Sequence, residues 1–73
     1  MAIKTHILEA VMSHYTAERD KALANIKIHL NNPVGVGVHP KIVEDVIDLV
    51  HKASEAEDAI DMFQDIVNNE KDN

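Results

Sequence analysis

The 73-residue sequence contains no cysteine and only two glycines, two prolines and two aromatic residues, Tyr15 and Phe63. Without cysteine there is neither a disulfide nor a thiolate zinc site, two of the staples on which small domains rely. Two aromatics offer little large apolar area for a core. Ordering the chain costs about 1.5 kcal/mol per residue, or about 110 kcal/mol in all, so a single domain of this length is marginal as a monomer. The staples left are a histidine/carboxylate metal site and self-association, and self-association is the expectation. There is no run of 18 apolar residues, and Lys4, His6 and Glu9 interrupt the first segment, so neither a membrane span nor a signal peptide is expected. These absences predict a cytoplasmic, cofactor-free protein.

The net charge of −6 is unevenly spread: residues 1–40 hold four basic and three acidic groups, residues 41–73 three basic and ten acidic. An acidic surface repels phosphate backbones and anionic lipid, so duplex nucleic acid and membranes are not expected partners. A small anionic ligand stays open.

All the glycines and prolines fall within Asn31 to Pro40. Asn32 suits a left-handed helix cap, Pro33 cannot continue a helix, and Pro40 suits a first helical position with Glu44 and Asp45 soon after it. The expectation is a helix over about 3–31, a loop over 32–39, a second helix over about 40–68 and a frayed tail, 69–73. In the second helix Ile42, Val46, Leu49, Ala53, Ala56, Ile60, Phe63 and Val67 recur at alternating spacings of four and three, without a polar interruption. That 3.5-residue repeat is what knobs-into-holes packing requires. The first helix repeats it at Leu8, Met12, Tyr15, Arg19, Ala22, Ile26 and His29, with Leu23 and Leu30 widening the stripe.

Folding back at the loop predicts an all-α antiparallel hairpin in which residue i faces roughly residue 72 − i. Large then meets small: Arg19 falls opposite Ala53 and Tyr15 near Ala56. Ser13, His14, Tyr15 and Thr16 are weaker helix formers, and a break at Thr16 is a competing organisation. A second row on the first helix, Ile3, Ile7, Ala10, Ala17, Ala24 and Ile28, lies more than a third of the way round the cylinder from the first. It reads either as the surface that joins subunits into a homo-oligomeric helical bundle, or as alanine used simply as a helix former.

Candidate chemistry is sparse. The five histidines include no pair three or four residues apart, the spacing that would set two imidazoles on one helical face. Asp48 and His51 form the nearest metal-type pair, about 160° from the seam, where a solvated charged face is the plainer reading. His29, at a seam position beside the loop, either bonds a loop carbonyl, the plainer reading, or lines a pocket at the end of the bundle. Arg19 lies within the apolar stripe and needs a carboxylate or an anion, with Glu57 the near candidate. Gly35, Gly37, His39 and Lys41, next to a helix start, could present an anion site together with Arg19, or the loop could cap the bundle through Val34, Val36 and Val38. Ser13 and Ser54 lack a histidine and carboxylate at useful spacing, so no enzyme is expected.

The run Leu30-Asn31-Asn32-Pro33-Val34-Gly35-Val36-Gly37-Val38-His39-Pro40, followed by Ala56-Glu57-Asp58, resembles small uncharacterised proteins of contractile-tailed bacteriophages, including those infecting cyanobacteria. The resemblance implies a host-cell cytoplasmic setting and brings no site residue with it. By architecture alone the expected assembly is also similar to phage proteins that sequester cyclic-nucleotide immune signals. The resulting expectation is a non-enzymatic homo-oligomer that binds a host or phage protein. The alternatives are a sponge for a phosphorylated nucleotide and, third, a metal-binding bundle.

Overall fold

A computed structural model describes the backbone of residues 2–31 and 41–72 and the side chains of residues 3–31 and 41–69. Two helices, α1 (Ala2–Asn31) and α2 (Ile42–Asp72), pack along each other in a rod of 54 × 19 × 14 Å. They run antiparallel. Leu8 shares a groove with Phe63 and Val67, Tyr15 shares one with Ala56, and His29 shares one with Asp45. The described residues therefore form the expected all-α hairpin. Residues 32–40, with the expected Asn32 cap and valine plug, lie outside them.

All fifteen seam positions on the two helices are half-buried or buried. Heptad spacing keeps one side of each helix facing the other along its whole length, because slight supercoiling absorbs the mismatch between 3.5 and 3.6 residues per turn. Ala22, Ala56 and Ile60 are buried most completely, at 4%, 4% and 6% exposure. The small size of the two alanines lets the helices approach closely there.

Leu23 and Leu30, expected to widen the buried stripe, instead stand 42% and 66% exposed. One partner helix covers the positions that face it and little of the flank beside them. α1 runs unbroken through Ser13–Thr16, since Met12 and Tyr15 are held by packing that outweighs a few tenths of a kcal/mol of local propensity per residue. The first regular residue of α2 is Ile42, two later than expected, with the Asp45 N–H donating to the Lys41 carbonyl at 2.8 Å. Its far end reaches Asp72, past the expected end near 68, because neither proline nor glycine interrupts Asn68–Asp72. No helix among the described residues is long and apolar enough to cross a membrane.

Candidate functional site

With the seam closed, the chemistry of the hairpin lies on the two faces that flank it. On one face Glu9 of α1 lines a groove with Gln64 and Asn68 of α2, and Arg19 reaches Glu57. Two and three heptads on from Glu9 stand Leu23 and Leu30, and two and three heptads before Gln64 stand Val50 and Val43. The repeat therefore places these four on that same face, with Ile47 beside them, three heptads before Asn68. All five are exposed. They make an aliphatic patch across both helices in the half of the hairpin nearest the α1–α2 connection.

The opposite face reverses the arrangement. Near the connection it is polar: Glu18, Lys21 and Asn25 share a groove with Lys52 and Glu55, continued by His29, Asp45 and Asp48. One or two heptads toward the other end, the same rows carry Ile7 and Val11 on α1 and Ala59, Met62 and Ile66 on α2. Ile7, Met62 and Ile66 are exposed there. The hairpin thus has two aliphatic patches, on opposite faces and at opposite ends.

Arg19 stands between them. Its Nη1 donates to Glu57 Oε1 and its Nε to Asp20 Oδ1, both at 3.2 Å. The bond it donates to Glu57, then that to Asp20, holds the guanidinium pKa above its ordinary value. Glu57 is the partner the sequence suggested. The side chain, 31% exposed, is answered by one carboxylate across the hairpin and one in its own helix, so its charge is already matched. Asn31, where α1 ends, lies about 18 Å farther along the axis at 1.5 Å per residue. Arg19 and Lys41 consequently do not converge within one chain. Gly35, Gly37 and His39 lie outside the described residues.

The half-buried His29 bonds within its own helix: its Nδ1 lies 2.8 Å from the carbonyl oxygen of Asn25, one turn back, while the expected loop carbonyl lies outside the described residues. A carbonyl only accepts, so Nδ1 carries the proton. His14 Nε2 lies 3.9 Å from Glu18 Oε1, also within one turn. Asp48 and His51 are both exposed, and no group of three or more histidine, cysteine, aspartate or glutamate side chains among the described residues is placed to hold a metal. Of the predicted subunit row, Ile3, Ile7, Ala10, Ala17, Ala24 and Ile28 are all exposed, and Ile7 is shared with the patch that includes Met62 and Ile66.

Neither protein-family models, nor curated proteins, nor solved structures match this chain. Sequence reasoning missed the two patches. Their signal was nevertheless present: Leu23 with Leu30, and Val43 with Val50, are pairs seven residues apart in the row beside the seam.

Proposed function

We propose that this chain is a non-enzymatic, phage-type helical protein that associates with itself and acts as an interaction module on a host or phage protein in the host cytoplasm. The observation that carries the reading is the surface. Among the described residues, ten large apolar side chains are exposed and three residues are well buried. So much apolar surface beside so small a core is expected of a subunit rather than of a free monomer. The protein partner is assigned to the patch around Ile7, Met62 and Ile66, which adjoins the most acidic stretch, 55–73, with seven acidic groups and one basic. A basic, apolar protein surface complements it. The nucleotide-sponge alternative has less support, since the Arg19 guanidinium is already matched by carboxylates. The metal alternative rests on the exposed pair Asp48 and His51 alone.

Sedimentation velocity and native mass spectrometry on the full chain test the reading, and a dimer or higher oligomer is expected. A monomer at tens of micromolar would overturn it. Thermal shift separates the alternatives: stabilisation by nucleotides would favour the sponge and stabilisation by divalent metals the bundle site, whereas neither is expected to raise the melting temperature.

A further inference from the structure

The hairpin offers three exposed apolar surfaces for self-association, and they differ in two respects that matter for a second copy: the size of the side chains and the charge around them. The row on α1 exposes Ile3, Ile7 and Ile28 only toward its ends; between them stand Ala10, Ala17 and Ala24, and at the same heptad spacing His14 and Lys21 interrupt it. The alanines in its middle bring little apolar area, and a lysine within the row must be kept hydrated. The patch of Ile7, Met62 and Ile66 has larger side chains but sits against the stretch that holds the whole net charge. Pairing it with its own copy would bring two such stretches together.

The remaining patch has neither defect. Leu23, Leu30, Val43, Ile47 and Val50 are five large aliphatics, and Leu30 and Val43 are 66% and 67% exposed. The segments that carry them, 20–31 and 41–54, hold four basic groups (Lys21, Lys27, Lys41, Lys52) and four acidic ones (Asp20, Glu44, Asp45, Asp48), so they are neutral overall. The patch is also continuous with the seam. Adding this flanking row to the two seam rows gives the three-sevenths apolar face of a helix in a bundle rather than the two-sevenths face of a two-stranded coil. A helix pair patterned in this way has half its core unanswered.

From this we infer that the Leu23–Leu30–Val43–Ile47–Val50 face binds the same face of a second copy. The two connection halves form a four-helix core about a two-fold axis, and the acidic segments project from it in opposite directions. The inference deepens the self-association reading above and rests on it. An isologous contact of this kind is closed, so it gives a dimer and no filament.

The test compares single substitutions on the three surfaces of the full chain by sedimentation equilibrium, with far-UV circular dichroism as the control for folding. Val50→Glu and Leu30→Glu are expected to raise the dimer dissociation constant at least about 30-fold, as loss of a central interface anchor does. Ile66→Glu and Ala17→Glu are expected to leave it within about threefold. A dimer that survives the first two and dissociates with either of the others overturns the inference and leaves the self-association reading standing. A monomeric wild type overturns both. Should Val50→Glu lose its helical signal, cysteine crosslinking decides, free of background because the chain has no cysteine. On mild oxidation at least one of Leu23→Cys, Val43→Cys, Ile47→Cys and Val50→Cys gives a covalent dimer. Crosslinking at Met62→Cys or Ile66→Cys, with none at these four, overturns the inference.

Discussion

The connection half of the hairpin (residues 20–31 and 41–54) and the terminal half (2–19 and 55–72) share one seam and differ in almost everything outside it. Both expose large aliphatic side chains, but on opposite faces. The connection half is neutral overall, while 55–73 alone has an excess of six acidic groups. Two surfaces of similar hydrophobicity therefore have different company. Apolar area makes each of them adhesive, and the charge beside it selects what adheres.

Substitutions in the seam break the comparison most severely, because the seam is what the halves have in common. Ile60→Asp in the terminal half and Ala22→Asp in the connection half each place a carboxylate at a position no more than 6% exposed. A cost of more than about 3 kcal/mol is expected, enough to abolish the helical signal in far-UV circular dichroism. If one half melts and the other stays helical by amide hydrogen exchange, the halves fold separately and the shared seam is not one cooperative unit.

Salt sharpens the comparison. Self-association through the neutral half should change less than about threefold between low and half-molar salt, since apolar contact is not screened. Binding of a synthetic basic amphipathic peptide to the terminal half, read by fluorescence anisotropy, should weaken at least about tenfold over the same range. Equal salt dependence of the two would remove the distinction.

Smaller effects follow from charge pairs within α2. Asp61 and Asp65 are like charges one turn apart, so Asp65→Lys replaces a repulsion with an attraction and should stabilise the chain by about 0.5 kcal/mol. In the connection half Asp48 has Glu44 one turn before it and Lys52 one turn on, so Asp48→Lys exchanges a repulsion for an attraction on one side and the reverse on the other, and should change stability by less than about 0.3 kcal/mol. Urea denaturation of the two variants measures the contrast. Arg19→Met, at the boundary of the halves, should lower the melting temperature slightly. Because the folded-state pKa of Arg19 lies above its ordinary value, the stabilisation is complete below that ordinary value and fades only as pH rises through the folded one. The wild-type minus Arg19→Met difference should therefore be flat from pH 6 to pH 9.

Much of the fold was legible because its signal is redundant. Fifteen positions at four-three spacing predict one another, and Arg19 in such a row demands a carboxylate that the register supplies at Glu57. The flanks were less legible, since a heptad row beside the seam has the same pattern whether a neighbour covers it or not. Leu23 and Leu30 illustrate the point: the sequence marks them as apolar and cannot say that α2 stops short of them. The Asn25 contact of His29 was not legible for another reason: a histidine near a helix end has several carbonyls within reach, and which one its Nδ1 takes depends on a side-chain rotamer rather than on spacing.

In the dimer proposed above, the placement of the two patches on opposite faces would set the valency. When two hairpins close over their connection halves, the faces carrying Ile7, Met62 and Ile66 are turned outward, one on each side and toward opposite ends of a body built from rods 54 Å long. The dimer is then a bivalent ligand. Two weak contacts with a repeating basic partner would reinforce each other through effective concentration, so a small protein with a modest affinity per site could hold an oligomeric target tightly and release a monomeric one.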